Sequence, residues 1–221
     1  MAHPSQERQA FDRELGAIEA KVIQLFTMVA EDVPKATDVL LNGTSGVTRA
    51  LTERDRVIDA LYPEIEELVD REILLQAPVA SDLRLLVSML RVVPELERSH
   101  DLVVDIARRA SHILSEDLTP RTRTLVEQMG SLAATMWGEA VDCWCERDRS
   151  AAVVLSERDE EMNELYASLI AEIASGRMTV PVTMEMTLVA RFYERLADHA
   201  VNVARRVVYL AGSAPRSPAP A

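Results

Sequence analysis

Apolar residues return every three or four positions along most of this chain. Phe11, Leu15, Ile18, Val22, Leu25 and Val29 step by four, three, four, three and four. That spacing lays one continuous apolar stripe along a helix. It predicts a first helix running to about Leu41, bent at Pro34, where the ring removes an amide donor and crowds the preceding turn. Asn42-Gly43-Thr44-Ser45-Gly46 is a stop and restart signal. A second helix is expected to reach about Gln76. Ala77-Pro78-Val79-Ala80-Ser81-Asp82 breaks it, with Ser81 or Asp82 able to cap a third helix that runs from about Asp82 to Leu114. Thr119-Pro120 opens the fourth, Thr119 as N-cap and Pro120 at the first helical position. The fourth extends to about Arg147 and the fifth to about Ala174, before Ser175-Gly176. Thr179 and Pro181 start a sixth that ends near Leu210. Residues 212–221, rich in Pro, Ser and Ala, read as a disordered tail.

The helical pattern repeats. Glu53-Arg54-Asp55 followed by Leu61-Tyr62 returns as Glu157-Arg158-Asp159 followed by Leu165-Tyr166. Glu97-Arg98-x-x-Asp101 returns as Glu194-Arg195-x-x-Asp198, and Ala107-Arg108-Arg109 as Ala204-Arg205-Arg206. The first pair of motifs lies 104 residues apart and the second 97, a difference read as a shorter loop between the second and third helices of the later copy. The expected fold is all-α: six helices as two tandem, pseudo-symmetric three-helix bundles, residues 1–117 and 118–211.

Composition agrees with helices and narrows the function. Glycine numbers 7 and aromatics make up 4%, so strand-forming residues are scarce. The formal net charge of −12 argues against a broad nucleic-acid-binding face and against adhesion to anionic lipid. The only two cysteines, Cys143 and Cys145, sit about 200° apart on a helix and cannot bridge one another. With no apolar leader and no stretch of about 18 apolar residues, the chain reads as cytoplasmic, without a membrane span. It carries no P-loop, no dinucleotide fingerprint and no nucleophile elbow, and it is read as a protein that is not an enzyme.

The candidate chemistry lies in carboxylates at helical spacing. Glu97, Asp101 and Asp105 are four apart, so each step drifts only about 40° around the helix and all three share a face. The second copy reads Glu194, Asp198, Asn202. The second helix of each unit adds Asp55 with Asp59, and Asp159 with Asn163. Like charges so placed repel, and something must offset the repulsion where the face is crowded. If neighbouring antiparallel helices bring their ladders together, about five oxygen-bearing side chains gather per unit, a donor set suited to Mg, Ca, Mn or Fe. A single Glu-x-x-x-Asp is ordinarily a solvated face with arginine partners, here Arg98 or Arg195. Three rungs repeated in context set a metal site beside that reading as its equal. Glu97-x-x-His100 has the spacing of di-iron bundle helices, yet no second such motif exists. His100 is read as a helix-surface residue and a secondary candidate. Trp137 and Trp144 are assigned to core packing or a partner surface.

Leu96-Glu97-Arg98-x-x-Asp101 and Phe192-Tyr193-Glu194-Arg195-Leu196-Ala197-Asp198-His199-Ala200-Val201-Asn202 resemble the paired E-R-x-x-D signatures of PhoU proteins. Gln76-Ala77-Pro78-Val79-Ala80-Ser81-Asp82-Leu83-Arg84 resembles the loop into that family's third helix, and Asp55-Arg-Val-Ile-Asp59 its second-helix motif. The match spans about residues 8–211. The resemblance implies two three-helix bundles related by a pseudo-twofold, and a homodimer or larger oligomer. It implies divalent or trivalent metal ions (iron, zinc, magnesium or manganese) at the E/D-x-x-x-D motifs. It also implies negative regulation of phosphate uptake and phosphate-starvation signalling, through the ATPase of the phosphate ABC transporter and a phosphate-sensing histidine kinase. The competing expectations are a carboxylate-bridged di-metal storage or redox protein, and a helical scaffold without ions. The sequence departs from the family pattern at Pro94, His100, Asn163 and Asn202. The two asparagines lower the charge of the second ladder, whose metal is therefore expected to be weaker.

Overall fold

A computed structural model of the chain describes residues 4–44, 46–112, 117–210 and 212. Six helices follow in order: α1 (Pro4–Asn42), α2 (Val47–Gln76), α3 (Ala80–Arg109), α4 (Pro120–Glu146), α5 (Ala151–Ala174) and α6 (Val180–Leu210). No strand occurs among the described residues. The α1 stripe is buried from Phe11 through Leu41, as its spacing requires. Helices run on through Pro34, Pro63 and Pro94, each of which removes one amide donor without ending its helix.

The punctuation follows the turn residues. Gly43 and Gly46 take positive φ (69° and 84°) between α1 and α2, a backbone region that glycine enters without steric cost. Thr119 caps α4 by accepting a hydrogen bond from the Thr122 amide at 3.1 Å, with Pro120 as the first helical residue. The start of α3 corrects one expectation. The helix begins at Ala80 with Val79 at the cap and no side-chain cap bond. Asp82 instead pairs with Arg8 of α1 at 2.8 Å. Helix α3 ends at Arg109; the expected end at Leu114 and the tail over 213–221 fall outside the described residues.

The seven-residue difference between the repeats is not a shorter loop. The later connection, 175–179, is longer than the earlier one, 77–79. The shortening is in two helices: α5 has 24 residues against 30 in α2, and α6 starts three residues nearer to Glu194 than α3 does to Glu97, which together outweigh the two extra residues of the later connection.

Each unit is a three-helix bundle, and the two share one core. Helices α1, α3, α6 and α4 pack in a ring, α1 on α3, α3 on α6, α6 on α4 and α4 on α1. Outside the ring, α2 lies on α1 and α3, and α5 lies on α4 and α6. The seam is tightly made. A Cβ added at Gly130 of α4 would come within 2.4 Å of Thr37 Oγ1 on α1, so glycine permits this approach. Thr37 is hydrogen-bonded in turn to the buried Tyr193 hydroxyl of α6 at 2.8 Å. Trp137 and Trp144 on α4 are fully buried against Phe26 of α1, at centroid distances of 6.4 and 5.5 Å. The Trp137 ring nitrogen donates to the Leu196 carbonyl at 3.1 Å. Both tryptophans are therefore core residues. Cys143 is buried and Cys145 exposed, and both are free thiols.

Candidate metal centre

The short 77–79 connection returns α3 alongside α2, and their acidic ladders meet. Glu97, Asp55 and Asp105 are half-buried, while Asp59 and Asp101 are exposed. Burial raises the Glu97 carboxyl above its ordinary range; the charges of Asp101, Asp59 and Asp55 push the same way, against Arg98. Asp101 is likewise raised, by burial first and then by Asp55, Asp59 and Asp105, against His100. All five carboxylates of the first unit therefore share one electrostatic neighbourhood. Asp105 also pairs with Arg108 at 3.4 Å. Arg98 turns to Glu95, at 3.7 Å, rather than to the ladder.

The second ladder is sparser. Asp159 on α5 is raised by burial and by Asp198, with Arg205 opposing. Glu194 is raised by burial, with Arg191 opposing and Asp198 and Asp159 adding to the rise. Arg191 forms an ion pair with Glu194, whereas Arg195 makes none among the described residues. Asn202 is exposed and its side-chain oxygen accepts from Arg205 at 3.4 Å. Asn163 is exposed, without a side-chain hydrogen bond among the described residues. Asp198 acts electrostatically on both Asp159 and Glu194, and Asp159 on Glu194, while Asn163 and Asn202 add no charge to the second ladder.

His100 is not a surface residue. Its side chain is fully buried between α1, α2 and α3. Nδ1 lies 2.7 Å from Asp55 Oδ1, and Nε2 lies 3.0 Å from Asp32 Oδ2. Asp32, also fully buried, receives Lys35 Nζ at 2.8 Å. Arg54 Nε stands 3.0 Å from Asp32, at ion-pair distance without hydrogen-bond alignment. Burial alone would lower the His100 pKa; hydrogen bonds to Asp32 and Asp55 outweigh it and push the value up. Burial would raise Asp32, and His100, Lys35 and Arg54 together hold it down. The consistent state is an imidazolium donating to two carboxylates, one buried and one at the head of the α2 ladder. Asp32, Lys35 and Arg54 escaped the sequence reading. The equivalent of His100 in the second unit is Ala197. His199 is a different position, bonded to Ser99 Oγ at 2.9 Å, with its pKa lowered by burial.

Chemically the ladders suit a hard cation: oxygen donors, partly desolvated, with excess negative charge that protons or metal ions would relieve. They do not form a ready cage. Among the described residues, no three His, Cys, Asp or Glu side chains converge as a ligand set. An ion would have to draw the carboxylates together against their mutual repulsion.

The repeated bundle matches known proteins. The family model described as PhoU domain matches residues 22–110 and 126–207. The chain belongs to the PhoU family. The phosphate-specific transport system accessory protein PhoU homolog of Pseudomonas aeruginosa is 30% identical over 206 residues, spanning 91% of this chain and 85% of the relative. The homolog from Synechocystis is 30% identical, spanning 92% of each chain. The crystal structure of PhoU from Pseudomonas aeruginosa superimposes with a TM-score of 0.84 at 29% identity, covering 91% of this chain and 98% of the other. The phosphate transport system regulatory protein PhoU from Streptococcus pneumoniae superimposes at 0.82 and 27% identity, covering 91% and 97%. The two segments matched by the family model each hold one PhoU repeat, and each repeat holds one acidic ladder.

Proposed function

We propose that this PhoU protein is a non-enzymatic accessory and negative regulator of phosphate uptake and phosphate-starvation signalling, and that it binds metal through its acidic ladders. The observation that carries the metal reading is the pairing of α2 with α3 and of α5 with α6. Burial, and then acids on the facing helix, raise Glu97 and Asp101 through Asp55 and Asp59, Asp159 through Asp198, and Glu194 through Asp159. Asp55, Asp59, Glu97, Asp101 and Asp105 would hold divalent or trivalent ions in the first unit, with iron, zinc, magnesium and manganese all compatible. Asp159, Glu194 and Asp198 would do so in the second, with Asn163 and Asn202 as neutral donors. A bound cation supplies positive charge that joins two helices.

The partners proposed are the phosphate transporter's ATPase and a phosphate-sensing histidine kinase, met at the cytoplasmic side. The roles of the relatives, a transport accessory protein and a transport regulatory protein, support that choice. No described helix is long and apolar enough to cross a membrane. Regulation then works by mass action: the protein binds one state of its target better and shifts the population. The di-metal redox alternative loses its histidine, because both ring nitrogens of His100 are engaged by carboxylates.

Elemental analysis of protein purified without chelator, in parallel with Glu97→Ala and Glu194→Ala variants, tests the metal assignment. The expected result is greater metal loss from Glu97→Ala; equal loss from both would reject the ranking, and a metal-free wild type would reject the site. Partner assignment is tested by deletion. Phosphate-starvation genes should turn on in rich medium, and normal repression in a strain without a second copy would reject the regulatory role.

A further inference from the structure

A cleft of about 420 Å³ lies between α3 and the last turns of α6. Arg91 and Glu95 line it from α3, and Asn202, Arg205, Arg206 and Tyr209 from α6. Three guanidinium groups on one cleft are unexpected in a chain of net charge −12. The repeat explains why they are free. In the first unit, Arg108 pairs with Asp105 at 3.4 Å and Arg109 with Glu185 of α6 at 3.1 Å. The positions equivalent to Asp105 and Glu185 are Asn202 and Ser88. Both carboxylates have therefore been replaced by neutral residues where Arg205 and Arg206 stand. Arg205 keeps the 3.4 Å contact, now to an amide oxygen, and Arg206 stacks over Tyr209 at 4.9 Å. Arg91 adds a third cation where the other unit has Leu188. Among the described residues, none of the three has a carboxylate within ion-pair distance. Arg205 is also near enough to Asp159 to oppose the rise that burial and Asp198 impose on that carboxyl.

One acid shares the cleft. Glu95 is half-buried; its Oε1 lies 3.7 Å from Arg98, and its Oε2 has no hydrogen-bond partner, with the His199 ring nitrogen 3.8 Å away. A fully deprotonated oxyanion would be repelled by that oxygen. An oxyanion that keeps a hydroxyl can donate to it while its remaining oxygens accept from the guanidiniums. Inorganic phosphate at neutral pH keeps a proton, whereas sulfate and most phosphomonoesters do not.

We propose that this cleft between the two repeats binds inorganic phosphate, with Arg91, Arg205 and Arg206 as cationic donors and Glu95 as acceptor of the phosphate hydroxyl. The site goes beyond the regulatory reading and needs no metal. The test is calorimetric titration of the full chain with inorganic phosphate, sulfate and AMP in buffer containing chelator, so that metal-phosphate contacts do not contribute. Phosphate should bind saturably, with sulfate and AMP about tenfold weaker or more. The Arg205→Gln/Arg206→Gln variant should lose about tenfold or more in phosphate affinity with an unchanged helical circular dichroism spectrum. Arg121→Gln, an equal charge change at the exposed start of α4, should have no effect. Glu95→Gln should narrow the preference for phosphate over sulfate, a readout that a merely structural role would not move. The proposal is overturned by an absence of saturable phosphate binding, by full affinity in the folded double variant, or by sulfate binding as tightly as phosphate. An unchanged phosphate-to-sulfate ratio in Glu95→Gln would overturn the role given to Glu95.

Discussion

The two repeats share a backbone plan and differ in what stands behind their acids. In the first unit the ladder is braced: His100 ties Asp55 to the buried Asp32, which Lys35 and Arg54 also neutralise. In the second unit Ala197 replaces the histidine, asparagines replace two rungs, and Arg191 and Arg205 moderate what remains. The first half therefore concentrates negative charge at a fixed place, while the second half has shed charge there and freed arginines beside it. Duplication gave one geometry twice; substitution at a few helical positions left one copy with the fuller carboxylate ladder and the other with Arg205 and Arg206 without carboxylate partners among the described residues.

The largest test of this contrast is His100→Ala. It leaves the buried Asp32 with only Lys35 and Arg54, and should destabilise the protein by about 3 kcal/mol in urea unfolding. A cost below about 1 kcal/mol would show that the brace is unimportant. Next comes the cation itself. A metal at about a hundred times its dissociation constant should add about 2.7 kcal/mol of stability, reversible by chelator. Asp55→Asn should remove most of that gain and Asp159→Asn only a minor part; the opposite order would invert the comparison. Restoring charge to the second ladder with Asn163→Asp and Asn202→Asp should tighten its metal about tenfold, or about 1.4 kcal/mol. The same Asn202→Asp change should weaken phosphate binding, because the new carboxylate would neutralise Arg205. The seam offers a smaller effect. Tyr193→Phe removes one hydrogen bond but leaves Thr37 bonded to the Val33 carbonyl at 3.0 Å, a loss of about 1 kcal/mol.

The smallest effect is a pH dependence confined to the braced half. The folded pKa of His100 is raised above 6.5. Its contribution is therefore fully present below that value and fades as pH rises through the folded pKa. The gap in urea midpoint between wild type and His100→Gln should shrink as pH climbs from neutrality, and a gap that widened would refute the imidazolium assignment.

Most of the scaffold was legible along the chain because each helix carries its own instructions. The α1 stripe, the Thr119-Pro120 start and the glycines at 43, 46 and 176 act over a few residues. The ladders were legible for the same reason, since four-residue spacing fixes a shared face whatever lies opposite. His100 was misread because its partners come from elsewhere: Asp32 is 68 residues away and Asp55 is 45. One local clue existed. Asp32 falls three residues after Val29, on the apolar stripe, and a charge there has to be neutralised by something. The capping error at Ser81 and Asp82 had a similar origin, since Arg8 claims Asp82 from another helix. The arginine cleft required the repeat to be aligned and the contacts of Arg108 and Arg109 to be known. Only then do Asn202 and Ser88 stand out as missing partners.

Both tryptophans of the protein lie on one helix and face one phenylalanine across the join between the repeats. The molecule consequently contains an intrinsic optical gauge of whether its halves stay together. Loosening α4 from α1 would expose the indoles to water and shift their emission to longer wavelength. Fraying of α2 or α5, on the periphery, would leave the signal largely unaltered.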